Sequence, residues 1–541
     1  MPRRPRRAAA VHACVAVAAA HVSAAQDEPP APVPTTPSAY DARDDIFYHF
    51  MPIAWRWGEP AGDVPPLARD YRFGNFAGMR DSLDYLQSLG VTAVWINPIF
   101  PSRAYHGYQH DLPDRVNPWF GDEREFWAFV RDAHARNIRV YLDLVVYGVS
   151  QDSALFRATR GNPRHPDGAM LAFTDPARTA FTGYDFRTWT GERIGFVNWD
   201  LRNERARDLV TRLSARWLDP NADGDPSDGV DGFRLDHVWR VYPHGDAGLG
   251  YHIDDFWRHW RAELERVNPR VFTVAEQARW ETTGADLLAT SDGANAHDAA
   301  FTKILQDGAR EALRTGRAAP LDRAMRRTVA ACPPGRTFLA ILGDHDVDRL
   351  ASAINADTPA TFGRAKAAAA VLMLQPYPPV LYAGDEIGML GKAGRFNSDA
   401  NDIPRREPMK WLARHAPPMP DYARLHERAW AARYARDDDG RSVEEQHAVP
   451  GSLLETYREL SRLRHADVVL RRGDYQPVEV DDPGTWVFRR TLPGVGSRLI
   501  AINLDGTDTA LRVGERTLRV GAYGYVIEPE HAPHGIAPPT P

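Results

Sequence analysis

Gly-Val-Asp-Gly-Phe-Arg-Leu-Asp, residues 229–236, is the stretch on which the fold turns. It is a short apolar run that ends on an acid, Asp236. Two later stretches have the same form. Val-Phe-Thr-Val-Ala-Glu (271–276) ends on Glu276, and Thr-Phe-Leu-Ala-Ile-Leu-Gly-Asp-His-Asp (337–346) ends on Asp346. The first gap is about 40 residues, about one βα repeat, and the second is about 70, about two compact ones. Acids at the C-terminal ends of strands converge on one open face when eight such repeats close into a (β/α)8 barrel.

The flanking sequence carries the same rhythm. Residues 46–53 read as a first strand. A helical period runs through Met79, Leu83, Leu86 and Leu89 and stops at Gly90. Residues 91–96 form strand two, 126–135 a helix, and 139–146 strand three. This order predicts a parallel sheet with crossover helices. Residues 147–198 break it with Gly, Pro and Asp and read as an inserted small domain. Helices then fall at 205–217, 254–266 and 365–374. Strand four ends at Asp236, and strands five, seven and eight lie at 271–275, 337–342 and 379–383. Strand six is weakly marked within 291–305. Residues 394–445 are irregular, with a helix near the middle. A helix over 453–465 leads into alternating strands with turns at 481–484 and 505–508, a small β-sandwich. The expected layout is a TIM barrel over 44–146 and 199–445, the insertion at 147–198, and a helix plus antiparallel β-sandwich over 446–535.

The chain has 541 residues, a net charge of −6 and 43% hydrophobic residues, enough for a large core and no signal for a polyanion partner. Its N-terminus places Arg3, Arg4, Arg6 and Arg7 before an Ala/Val run (8–20) and Ser23-Ala24-Ala25. That is the form of a secretory signal over residues 1–25, too short to span a membrane. The expectation is a secreted or periplasmic protein, with a Pro-rich linker over 26–43. Cys14 lies in the signal, so Cys332 would stand alone and no intramolecular disulfide is expected. Nothing in the sequence implies an organic cofactor. The 15 tryptophans mostly serve packing, but Trp also stacks on sugar rings.

A single aspartate at a strand end is most simply a cap for the next helix. Three acids, with Arg234 two residues before Asp236 and His345 beside Asp346, describe a site instead. Arg234 faces the same side of its strand as Asp236 and would keep it ionised. Paired carboxylates on an open barrel face suit glycosidic-bond chemistry, one protonating the leaving oxygen and one meeting the sugar carbon.

From residue 44 to 530 the chain resembles the α-amylase family of glycoside hydrolases. The resemblance rests on Val-Trp-Ile-Asn-Pro-Ile-Phe (94–100), Tyr-His-Gly-Tyr (105–108), Val-Asn-Pro-Trp-Phe-Gly (116–121), Gly-Phe-Arg-Leu-Asp (232–236), Glu276, His345-Asp346 and Pro-Val-Leu-Tyr-Ala-Gly-Asp-Glu-Ile-Gly (379–388). It implies that Asp236 is the nucleophile of a retaining mechanism, Glu276 the acid and then the base, and Asp346 a stabiliser that binds sugar hydroxyls. It further implies that Arg234 is held by Asp143, that His345 donates to the sugar, and that Tyr108 stacks on it. The implied substrate is an α-glucan or maltooligosaccharide. A 4-α-glucanotransferase, an α-glucosidase and a non-catalytic sugar-binding relative remain open alternatives.

The chain also departs from the family pattern. Tyr147 and Gly148 replace the usual Asn-His, Trp239-Arg240 the usual Lys-His, Leu112 an Asp, and Asp344 an Asn. These changes predict loss of the usual calcium site, room near the sugar at Gly148, and an aromatic platform at Trp239 on the leaving-group side. Asp219, Asn221, Asp223 and Asp225 alternate around Gly224 as in an EF-hand loop, but Val230 stands where the bidentate Glu belongs. The loop reads equally as a calcium site or as a polar turn.

Overall fold

The computed structural model describes residues 41–238, 254–277, 282–288 and 296–530. Trp239 and the signal-like segment lie outside them. In chain order the strands are β1 (Phe47–Phe50), β2 (Ala93–Ile96), β3 (Arg139–Leu144), β4 (Gly148–Ser150), β5 (Gly183–Arg187), β6 (Arg193–Asn198), β7 (Gly232–Val238), β8 (Phe272–Gln277) and β9 (Ala299–Phe301). They continue with β10 (Thr337–Ile341), β11 (Pro379–Tyr382), β12 (Asp474–Pro477), β13 (Thr485–Leu492), β14 (Gly496–Asn503), β15 (Thr509–Val513), β16 (Arg516–Val520) and β17 (Tyr525–Glu530). Eight of them close a parallel barrel in the order β1-β2-β3-β7-β8-β9-β10-β11 and back to β1.

The barrel is filled, not hollow. Phe47 and Phe272 each pack against Tyr141, with centroids 5.3 and 6.0 Å away. Nearer the catalytic end, His49 stacks on Trp95 at 3.7 Å and Trp95 on Phe301 at 5.1 Å. Position 232 accepts only glycine, because a Cβ there would stand 1.9 Å from the Phe272 carbonyl. This lets β7 approach β8 closely and sets the height of Arg234 and Asp236. Past Leu235 the β7–β8 register shifts, and His237 takes φ +43°. The bulge turns the strand end toward β8.

Two local expectations change. The helix over 76–89 is split into Phe76–Asp81 and Leu83–Ser88. At the junction Ser82 accepts from Trp55 Nε1 (2.7 Å) and donates to the Met79 carbonyl (2.8 Å), a local bond that competes with the helix ladder. Strand one is shorter than expected, because Pro52 starts a helical turn over Pro52–Trp55. The insertion forms a small sheet ordered β4-β6-β5. The C-terminal strands form a four-stranded sheet, β12-β13-β14-β17, and a two-stranded one, β15-β16. A separate apolar core includes Val487, Leu499, Leu511, Leu518 and Val520.

The Ala-rich helix Gly363–Leu374 joins this region to the barrel and buries residues on every side. Its C-terminal carbonyls are held by two buried arginines. Arg464 donates to the carbonyls of Met373, Gln375, Tyr377 and Leu470. Arg490 donates to those of Leu374, Gln375, Leu470 and Gly473. Cations at a helix C-terminus oppose the macrodipole favourably. Among the described residues, no helix is long and apolar enough to cross a membrane. Replacing Arg490 with Met removes the arginine donor from the Leu374 and Gly473 carbonyls, leaves those of Gln375 and Leu470 to Arg464, and is expected to cost about 3 kcal/mol. Thermal unfolding of the purified protein should show a midpoint several degrees lower, with Arg490→Lys in between.

Candidate active site

Arg234 is the hub of the site. It stands on β7 opposite Asp143 of β3 in the barrel register. Its Nη1 donates to both Asp143 oxygens (2.8 and 2.9 Å) and to Asp236 Oδ1 (3.0 Å). Its Nη2 lies 2.9 Å from Glu276 Oε2. The guanidinium sits 5.0 Å over the Trp95 ring and 5.7 Å over the Tyr108 ring. Only 2% of Arg234 is exposed, so water supplies little screening. Asp143 also accepts from Trp95 Nε1 (3.0 Å) and Tyr108 OH (2.8 Å). Burial pushes the Asp143 carboxyl up and the Arg234 charge pulls it down.

Asp236 and Glu276 offer carboxylate oxygens within 4.8 Å of one another, with His237 beside them. Glu276 Oε2 also accepts from the His237 backbone N–H at 3.0 Å, a donor aimed by the β7 bulge. Burial raises the Glu276 pKa. Arg234 and His237 work against that, while Asp236 and Asp346 add to it. Asp346 belongs to the same electrostatic cluster. Arg406 Nη2 donates to its Oδ1 at 2.9 Å, and Arg406 Nε donates to the His345 carbonyl at 2.6 Å. Burial pushes Asp346 up, but Arg406 and then Lys303 outweigh it, and the net shift is downward.

Tyr108 and His345 lie against each other, with rings 5.3 Å apart and nearly parallel. Tyr108 OH is 2.7 Å from His345 Nε2 and accepts from Asn97 at 2.9 Å. Burial pulls the His345 pKa far below its usual value, so its imidazole is neutral. The two residues form one wall of the site, and Tyr108 is anchored through its hydroxyl to Asp143.

Gly148 does not open space. A Cβ there would meet the Phe196 ring at 2.2 Å and the Val197 carbonyl at 2.5 Å, so the glycine lets β4 pair closely with β6. Tyr147 OH donates to Asp236 Oδ2 at 3.0 Å. Sequence reasoning treated Tyr147 as a lost ligand and missed this contact. It also missed Arg406, which comes from the irregular stretch after β11 and has no local signal. Lys303 was the third omission. It stands two residues after β9 and its Nζ is 2.8 Å from Asp344 Oδ2, with both side chains buried. The replacement of a neutral Asn by Asp344 was the available clue, since a buried carboxylate requires a cation.

The Asp219 loop turns on itself. Asp219 accepts from the backbone N–H of Asp223 and Gly224, Asp223 from that of Asp225, and Asp225 from that of Ser227. The Asn221 amide N–H donates to Asp223 and Asp228. This is the polar-turn geometry. Among the described residues, the His and carboxylate side chains whose ligand atoms converge within 4.8 Å are Asp236, His237 and Glu276.

A family description, Alpha amylase, catalytic domain, matches residues 62–473. Alpha-amylase 3 of Dictyoglomus thermophilum is 24% identical over 435 residues, 78% of this chain and 79% of that protein. Neopullulanase 2 of Thermoactinomyces vulgaris is 25% identical, over 83% of this chain and 68% of its own length. Trehalose synthase of Pimelobacter sp. is 26% identical, over 81% and 85%. Among solved structures, an alpha-amylase from H. orenii superposes with a TM-score of 0.73 at 20% identity, covering 90% of this chain and 100% of that one.

The Lys303–Asp344 pair yields a test. Asp344 Oδ1 accepts from the Asp346 backbone N–H at 2.8 Å, so the pair ties the β10 end to the helix that begins at Lys303. Asp344→Asn leaves a buried cation without its partner and is expected to destabilise by about 3–5 kcal/mol. Asp344→Asn combined with Lys303→Met should recover most of that loss. Urea unfolding of the wild type, Asp344→Asn, Lys303→Met and the double variant reads the coupling, which is absent if the double variant is no more stable than Asp344→Asn alone.

Proposed function

This chain belongs to the α-amylase family of glycoside hydrolases, and from that premise we propose that it cleaves α-glucosidic bonds in maltooligosaccharides or starch-derived glucans through a covalent glycosyl-enzyme. The observation that carries this reading is that Arg234 gathers Asp236 and Glu276 side by side, with one oxygen of each within 4.8 Å of the other, the close pairing that a retaining mechanism needs. Retaining glycosidases hold the pair about 5–5.5 Å apart, whereas inverting ones leave about 6.5–9.5 Å for a water. Glu276, raised by burial, gives its proton to the leaving oxygen. Asp236 attacks the anomeric carbon. Glu276, now ionised, takes a proton from the incoming water and the sugar is released. Asp346 and Arg406 place a fixed carboxylate beside the site, where positive charge develops on the sugar.

Transfer to a sugar acceptor uses the same residues. It is favoured by Tyr184, an exposed aromatic on β5 whose hydroxyl lies 3.5 Å from that of Tyr147. Such a face can hold an acceptor sugar by stacking. The Arg-led apolar N-terminus supports export of the protein.

Proton NMR of the first product from a maltooligosaccharide of defined length tests the mechanism, with Asp236→Asn as the inactive control. An α-configured product is expected, and a β-configured one would sink the proposal. Chromatography of the same reaction separates hydrolysis, with shorter products alone, from transfer, with longer ones as well. The pH profile gives a further check. The His237 charge lowers the Glu276 pKa, so His237→Gln should raise it and keep the acid protonated to higher pH. The alkaline limb of kcat/KM is expected to move upward, and only modestly, since the His237 side chain is 47% exposed.

A further inference from the structure

We propose that Tyr147 is a further catalytic residue, whose hydroxyl on Asp236 Oδ2 drives breakdown of the glycosyl-enzyme. The inference rests on the retaining reading above. Arg234 holds Oδ1, and this leaves Oδ2 as the oxygen that attacks. Tyr147 OH donates to that same Oδ2 at 3.0 Å. The hydroxyl is the inner end of a chain. Gln109 Nε2 donates to Tyr184 OH at 2.7 Å, and Tyr184 OH stands 3.5 Å from Tyr147 OH. The ring is fixed by the Phe196 edge at 5.3 Å and by a near-parallel stack with His237 at 5.9 Å. Burial, followed by the Asp236 charge, holds the Tyr147 phenol far above its usual pKa, so it remains a donor.

The two half-reactions use this hydrogen bond differently. In the first, the Oδ2–C1 bond forms, the bond from C1 to the leaving oxygen breaks, and the Glu276 proton goes to that oxygen. Negative charge drains from Oδ2, so the Tyr147 bond weakens. In the second, water attacks C1 and passes its proton to Glu276. The electron pair of the C1–Oδ2 bond returns to Oδ2, and the charge regenerated there is met by Tyr147. Tyr147 keeps its proton throughout. The hydrogen bond therefore raises the glycosyl-enzyme relative to the free enzyme and to the transition states on either side, where Oδ2 carries more charge.

Tyr147→Phe keeps the ring and removes the donor. Steady-state and rapid-quench kinetics would be run on a maltooligosaccharide and on an α-maltosyl fluoride, whose leaving group needs little help from an acid. The expected result is a kcat about tenfold lower, from loss of a hydrogen bond to a charged group. KM should fall in parallel and kcat/KM stay roughly unchanged, because the first half-reaction is spared. Intact-mass measurement of acid-quenched enzyme should show a larger fraction of glycosyl adduct than in the wild type. Tyr184→Phe, on an exposed strand, should move the same quantities in the same direction by less, and carries the test if Tyr147→Phe does not fold. A fall in kcat/KM equal to that in kcat with KM unchanged, or wild-type kinetics in a folded Tyr147→Phe, would overturn the role of Tyr147 and leave the retaining reading standing. A wild type that yields the β-configured product would end both.

Discussion

Everything at the catalytic end of this barrel is arranged around one buried guanidinium. Arg234 meets Asp143, Asp236 and Glu276 at once, in a volume where none of the four is more than 6% exposed. A buried charge persists only when it is paired and hydrogen-bonded. One cation cannot balance three carboxylates. Two more cations enter from other elements, Lys303 and Arg406, but each comes with an acid of its own, Asp344 and Asp346. Negative charge stays in excess, and the cheapest remedy is a proton. Glu276 is buried, faces both Asp236 and Asp346, and its pKa is raised. The upward pull on Glu276, shared by the fully buried Asp143, therefore follows from the charge balance of the whole cluster.

The parts of this arrangement that were legible in the sequence are those set by a two-residue period or by strand order. Arg234 and Asp236 share a face because they are two apart on a strand, and Asp143 meets Arg234 because β3 and β7 are neighbours in register. Strand six was hard to locate because β9 has three residues, Ala299–Phe301, too few for any period. Lys303 and Arg406 were illegible for another reason. Each meets its partner across a long stretch of chain, and no local pattern encodes where a loop returns.

Tyr147 is the most informative miss. Read by position, an aromatic residue in place of a ligand signals loss. Read by geometry, the phenol extends far enough to reach Asp236, which the shorter residue it replaces need not do. Gly148 was misread in the same way. The absence of a side chain suggested an opening, whereas the space belongs to Phe196 and the backbone of Val197. A small residue reports close approach at least as often as vacancy, and only the neighbouring strand tells which.

These two positions also show where control of the chemistry lies. Tyr147 follows the last residues of β3 and meets Asp236 and His237 of β7, but the insertion also holds it. Its carbonyl accepts from the Trp199 backbone N–H at 3.0 Å, its ring meets Phe196, and the next residue is pinned against β6. Tyr184 reaches it from β5. The barrel therefore fixes one oxygen of Asp236 through Arg234, and the insertion fixes the other through Tyr147. A change in the packing of the insertion would reach Asp236 through the Tyr147 hydroxyl. This gives a route by which relatives on a common barrel can differ in how long the sugar stays attached, and so in whether water or another sugar collects it.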